Sequence, residues 1–254
     1  MAQIKIFNQT KLTERPFFQD LIDHLDTHED VTLRKLKVVF SDVKNLERQI
    51  EDFVQAGFIR RAEKRYTNAF QTFEDGDFDL TLPALEPKRL VYDAPFFVRN
   101  GSKLMTKLAT SQVQQVLKND TNGIKLHISS DFQRSDDSLA NYFYHVDKRV
   151  KLTPLEEEVF ELIGDSDPNY VLKYMTTFLL KFAKKDTVKN KKPDIFVRTL
   201  LKYGYIREVA PDLFATTFAL ADKKIATQKL DTAQDFIAQQ IRQTKKVENF
   251  LTFE

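Results

Sequence analysis

The chain has no cysteine among its 254 residues. That absence removes disulfides, thiolate zinc sites and a cysteine nucleophile together. Tryptophan is missing too, so aromatic packing rests on 22 Phe and 8 Tyr. The 6 Gly are scattered, which leaves no glycine-rich phosphate cradle, and there is no serine nucleophile elbow. No apolar run reaches the roughly 18 residues of a membrane helix, so no membrane partner is expected. The first residues, MAQIKIFNQTK, hold no long apolar stretch and no small-residue cleavage pattern. No signal peptide is therefore expected, and the expected location is the cytoplasm. Asn8-Gln9-Thr10 matches the glycosylation pattern, which means nothing without secretion. Net charge is only +2, so any attraction for nucleic acid must come from a local patch.

What is present is a globular composition, 42% hydrophobic and 30% charged, in a chain long enough for about two units. Residues 4–7 alternate as a short strand. Thr13 is expected to cap a first helix with Pro16 in its first turn, followed by Phe17, Phe18, Leu21, Ile22 and Leu25 at helical spacing. Thr32 caps a second helix over 33–40. Ser41 or Asp42 is expected to cap a third, on which Val43, Leu46, Ile50, Phe53 and Val54 form one stripe and Gly57 ends it in the left-handed region.

Beyond Gly57, Phe58-Ile59 leads into Arg60, Arg61, Lys64 and Arg65. Three helices followed by a basic segment with room for two strands predict a winged-helix-like domain over residues 1–73. Residues 74–149 read as a mixed α/β middle, with a strand at 78–82, apolar pieces on either side of Pro95, turns at Asn100-Gly101 and Asn122-Gly123, a helix at 110–118, a strand at 124–129 and a helix capped by Ser138. A second winged-helix-like domain is expected over 150–220, with Thr153 capping a helix that starts at Pro154, Asn169 capping the next, and a third from Pro193 to Gly204. Residues 221–254 are expected to hold a C-terminal helix over 232–246, with Phe236, Ile237 and Ile241 on one stripe. The expected class is helix-rich α+β, two tri-helical domains with wings flanking a mixed middle.

The two third helices align when Gly57 is set over Gly204. Ile50 then falls on Val197, Phe53 on Leu200, Val54 on Leu201, Phe58 on Tyr205, Ile59 on Ile206 and Arg60 on Arg207. The openings Lys11-Leu12-Thr13 and Lys151-Leu152-Thr153 also match, with about seven more residues between anchors in the second copy.

Nucleic-acid contacts are expected from Lys44, Asn45, Arg48 and Gln49 on the outer face of the third helix, types that suit phosphates and base edges. Arg60, Arg61, Lys64 and Arg65 on the wing are expected to meet phosphates. Glu47, Glu51 and Asp52 share that helix and oppose the reading, the alternative being a scaffold whose helix face is merely solvated. The densest charge run, residues 181–192, adds Lys184, Lys185, Lys189, Lys191 and Lys192, as a phosphate-attracting loop or simply a solvated one.

His24 and His28 stand four apart near Asp20, Asp23 and Asp26, but lack the glutamate of the zinc-protease pattern, and no metal is expected. Glu86-Pro87-Lys88 with Asp77 and Asp79 is similar to a nuclease carboxylate–lysine set, except that Pro87 breaks the strand it needs. No cofactor and no catalytic set is expected. The expected function is DNA binding, in its most specific form transcriptional regulation. The alternative is a protein-interaction or oligomerisation module without DNA, using the stripe of the C-terminal helix.

The segments LTERPFFQDLIDHLD, VTLRKLKVVF and NLERQIEDFVQAGFI resemble a small uncharacterised family of Gram-positive bacterial proteins, a domain of unknown function, from the N-terminus to about residue 70. The resemblance implies a bacterial cytoplasmic context and carries no activity.

Overall fold

A computed structural model describes residues 3–221 and 225–253. Residues 222–224 and 254, part of the expected C-terminal segment, and residues 1 and 2 of the expected first domain lie outside the described residues. In chain order the elements are β1 (Ile4–Phe7), α1 (Pro16–Thr27), β2 (Val31–Thr32), α2 (Leu33–Val39), α3 (Leu46–Gln55), β3 (Ile59–Ala62), β4 (Arg65–Asn68) and β5 (Thr72–Phe73). Then come β6 (Arg89–Val91), β7 (Phe96–Arg99), α4 (Lys103–Ala109), β8 (Gln112–Lys118), β9 (Ile124–Asp131) and α5 (Leu139–Lys148). The remainder is α6 (Pro154–Ile163), α7 (Pro168–Leu179), β10 (Val188–Lys189), α8 (Ile195–Lys202), β11 (Ile206–Ala210), β12 (Leu213–Thr216), β13 (Ala219–Leu220), β14 (Thr227–Lys229), α9 (Ala233–Gln240) and β15 (Phe250–Phe253). Among the described residues this is a mixed α+β chain with nine α-helices and small open sheets.

The chain divides into two compact units. Unit 1 takes the described residues of Met1–Leu82, Val91–Leu108 and Lys229–Ile241; unit 2 takes those of Pro83–Leu90, Ala109–Gln228 and Arg242–Glu254.

Unit 1 is built around phenylalanine. Phe18 sits edge-on to Phe53 at 4.9 Å and to Phe58 at 5.4 Å, and Phe70 lies flat on Phe97 at 3.5 Å. Leu21, Ile22, Leu36 and Ile50 complete this core. One sheet has the order β1-β7-β5 and the other β2-β4-β3. Thr32 caps α2, its hydroxyl accepting from the Lys35 amide at 3.4 Å. Pro16 opens α1, but Thr13 does not cap it: its hydroxyl accepts from the Thr10 amide and holds the preceding turn. Neither Ser41 nor Asp42 caps α3. The capping position falls to Asn45, in the left-handed region at φ 55 with no side-chain cap. Asparagine tolerates that conformation, so the chain enters α3 by a turn that periodicity does not register. Lys44 and Asn45 consequently precede α3 rather than lie on its face.

The stripe of the C-terminal helix is buried within unit 1. Phe236, Ile237 and Ile241 are at most 3% exposed, and Phe236 packs on Tyr92 and Phe96 at 5.8 and 5.6 Å. This helix, α9, is also shorter than expected and stops at Gln240.

Unit 2 packs α5–α8 against its sheets around Tyr142, Val159, Met175, Leu200 and Leu251. Its sheets have the orders β10-β12-β11 and β13-β15-β9-β8. The expected helix at 110–118 is the strand β8, paired with β9 along its whole length. Val113 and Val116 mimic helical spacing, yet full cross-strand pairing prevails over that short signal. In unit 1, the expected strand at 78–82 is a turn, closed by Asp79 accepting from the Thr81 amide and hydroxyl. Asp167, not Asn169, caps α7, with Pro168 in its first turn. Thr153 and Glu156 form a reciprocal cap on α6, and Ser138 caps α5.

Candidate nucleic-acid interface

Gly57 leaves α3 at φ +78 and Gly204 leaves α8 at φ +66. At both exits two amides turn back into the last helical turn. Phe58 N–H donates to the Phe53 carbonyl at 3.0 Å and Gly57 N–H to Val54 at 3.0 Å; Tyr205 donates to Leu200 and Gly204 to Leu201, each at 2.9 Å. This paired closure needs a left-handed residue, which glycine adopts without a Cβ clash. A hairpin follows each, and a third strand joins it: Val31 of β2 opposite Tyr66, and Val188 of β10 opposite Phe214. The alignment of Gly57 with Gly204 therefore describes matching backbone geometry. The third strand enters differently. In unit 1 β2 precedes α2 and α3, whereas in unit 2 β10 follows both α6 and α7.

The first hairpin is basic. Ala62 pairs with Arg65, so Glu63 and Lys64 alone make the turn, at φ 49 and 63. Alternation puts Arg61 on the face toward α3 and Arg60 on the other. Arg61 bonds Glu51 of α3 at 3.0 Å, and Tyr66 with Glu51 holds its guanidinium above the usual value. Arg65 bonds Asp30, whose carboxyl it holds below the usual range. Arg60 and Lys64 are exposed and have no side-chain partner among the described residues.

The acids of α3 are each met by a cation: Glu47 by Lys37 at 2.5 Å, Glu51 by Arg61, and Asp52 by Arg15 at 2.8 Å. Such exposed pairs add at most about 1 kcal/mol each to stability. Their larger effect is to cancel charge where phosphate would otherwise be repelled. Of the residues expected at the helix, Arg48 is exposed and has no side-chain partner among the described residues. Gln49 turns its amide back to the Lys44 carbonyl at 3.0 Å, and the Lys44 and Asn45 side chains are exposed.

The second hairpin is not basic. It carries Arg207 beside Glu208, and Glu208 accepts from the Asp212 amide at its turn. The cations of this part of unit 2 lie on the third strand and its approaches. Lys184 and Lys185 precede β10, Lys189 lies within it, and Lys191 and Lys192 lead to α8. All five are exposed, without side-chain partners among the described residues. β10 is an edge strand, and lysines there also discourage pairing with another sheet.

The remaining candidates disperse. His24 stacks on His28 at 4.1 Å, and burial together with His28 holds His24 below its usual pKa. Among the described residues no group of three or more His, Asp or Glu could hold a metal. Glu86 pairs with Lys245, while Lys88 reaches Gln228. His145, in sequence a single histidine on a helix and more often exposed or hydrogen-bonded than catalytic, is buried and paired with Glu156, Nδ1 and Oε1 being 2.8 Å apart. Periodicity does not mark the outer face of α7, where Tyr170 and Tyr174 repeat one turn apart and are exposed.

Residues 4–111 match the model of a family described as a domain of unknown function, DUF1803. The match begins at β1, contains the whole of α1–β4 and ends just past α4. No curated protein and no solved structure matches the chain. No helix of the described residues is long and apolar enough to cross a membrane.

Proposed function

We propose that this is a DNA-binding protein whose two helix–glycine–hairpin segments act as winged-helix-like domains, the first of them reading duplex DNA. The observation that supports the reading is the distribution of unpaired charge. Internal ion pairs neutralise the acids of α3, while Lys44 just before the helix, Arg48 in its first turn, and Arg60 and Lys64 on the hairpin have no side-chain partner among the described residues. Arg48 suits a base edge or phosphate, Lys44, Arg60 and Lys64 suit phosphates, and Asn45 suits a base edge. Arg61 and Arg65 instead brace the hairpin against α3 and Asp30. The five lysines around β10 supply a second cationic surface in unit 2.

The test is fluorescence anisotropy of the full chain with a random 20-base-pair duplex at low salt. Binding is expected, and replacing Lys44, Arg48, Arg60 and Lys64 by Gln is expected to weaken it at least about a hundred-fold. No binding at low salt, or binding indifferent to the four changes, overturns the reading. A second reading, a protein-interaction module, draws on one observation: Val38 and Val39 are 75% and 52% exposed beside a groove lined by His24, His28 and Arg34. Self-association lost in Val38→Ser/Val39→Ser, with no affinity for DNA, would favour it.

A further inference from the structure

The outward stripe of α7 carries aromatic rings that packing on Phe196 covers only in part. Tyr170 and Tyr174 are 52% and 40% exposed, although burying an aromatic ring is among the larger gains open to a side chain. They are held in place from below. Tyr174 lies flat on Phe196 of α8 at 4.8 Å and 7°, and Tyr170 meets Tyr174 edge-on at 5.0 Å. Lys173 sits beside Tyr174, its ammonium 5.8 Å from the ring centre. Just beyond α7, in the 3-10 turn Leu180–Ala183, Lys181 caps the Phe178 ring at 5.1 Å. Neither lysine has an acidic partner among the described residues, nor do the five around β10. The chain places Lys191 and Lys192 just ahead of α8, whose Phe196 supports Tyr174.

We propose that this face of unit 2 binds single-stranded nucleic acid, with bases stacking on Tyr170 and Tyr174 and phosphates meeting Lys173, Lys181 and the lysines flanking β10. Rings that stand out of a helix can stack only on bases that have left their own stack, since a duplex presents no free base face. A duplex would use the lysines and leave the tyrosines idle. An anionic bilayer is the less fitting partner, because the apolar side of α7, with Val171, Leu172, Met175 and Phe178, is buried in unit 2 and cannot enter lipid. The inference rests on the nucleic-acid reading in kind but on different residues, so the two can fail separately.

The experiment titrates the full chain into fluorescein-labelled 20-mer oligothymidylate, with the duplex above, heparin and phosphatidylserine–phosphatidylcholine vesicles as parallel arms. Oligothymidylate is expected to bind, and Tyr170→Ala/Tyr174→Ala to weaken it about ten-fold or more. Heparin, which has charge but no bases, is expected to ignore the tyrosine changes. Tyr170→Phe/Tyr174→Phe keeps the rings and is expected to bind oligothymidylate like the parent, which separates stacking from damage to the fold. Replacing Lys184, Lys185, Lys191 and Lys192 by Gln is expected to weaken both polyanions. Equal losses for heparin and oligothymidylate in the alanine variant, or no loss in either, overturn the inference in favour of a plain cationic face. Vesicle binding without oligothymidylate binding overturns it in favour of a membrane surface. Duplex binding that survives either result leaves the first proposal standing, and failure of every arm at low salt removes both.

Discussion

The α3–β4 segment of unit 1 and the α8–β12 segment of unit 2 close with the same pair of backbone bonds after a left-handed glycine, yet they are charged differently. In the first, cations occupy the hairpin, and half of them are spent on Glu51 and Asp30. In the second, the hairpin holds Arg207 with Glu208 and Asp212, and the lysines lie on the third strand and the turns around it. The difference shows that a local closure can recur while charge placement, which would select a partner, does not. It also shows why counting basic residues misleads: Arg61 and Arg65 pair within unit 1, whereas Arg60 and Lys64 have no side-chain partner among the described residues.

The largest effects should come from the shared core positions under each closure. Phe53 is fully buried among Phe17 and Phe18, and Leu200 is fully buried in unit 2. Phe53→Ala is expected to cost about 3–5 kcal/mol and Leu200→Ala about 2–5 kcal/mol in urea unfolding. An effect below about 1 kcal/mol at either would break the equivalence. Next comes Glu156, which has no exposed surface, completes the cap of α6 and meets His145. Glu156→Ala leaves buried donors unpaired, and a loss of about 2–4 kcal/mol is expected, with no counterpart in unit 1. Gly57→Ala and Gly204→Ala should be alike and smaller. An added Cβ meets nothing within 4 Å at either site, so only the left-handed backbone opposes it, at about 1–2 kcal/mol. Unequal losses would show that the two exits are not equivalent.

The smallest expected effect is with pH. Burial first, then His28, lowers the pKa of His24 in unit 1; burial, then Lys125 and Arg89, lowers that of His127 in unit 2. Both folded states therefore favour neutral imidazole, and the unfolded chain takes up the proton first. Stability from these groups is full above their ordinary value of 6.5 and declines as pH falls below it. Thermal unfolding at pH 7.5 and 5.5 should show this drop, and His24→Gln/His127→Gln should lessen it.

The helices of unit 1 were legible because Phe17, Phe18, Leu21, Ile22 and Leu25 repeat at 3.6 residues, and Gly57 and Gly204 were legible because their surroundings demand positive φ. The strand β8 was not, since its Gln side chains hide alternation: the amides of Gln114 and Gln115 donate to the Ser129 and Ser130 hydroxyls on the neighbouring strand, partners that no local window contains. The edge strand β10 was hidden in a lysine run, because two residues are too few to show a period. At the candidate site, residue types were readable while pairing was not. Arg60 and Arg61 are identical neighbours in sequence, and only the strand's alternation sends one to Glu51 and the other to solvent.

That last distinction can be measured directly through the salt dependence of duplex binding. Removing one phosphate-binding cation should flatten the slope of log K against log salt by about 0.9. Arg60→Gln/Lys64→Gln is expected to flatten it by nearly two such steps, and Arg61→Gln/Arg65→Gln to leave it close to the parent value. Equal flattening by both pairs, or flattening by Arg61 and Arg65 alone, would contradict the assignment of the free hairpin cations as the groups that meet DNA.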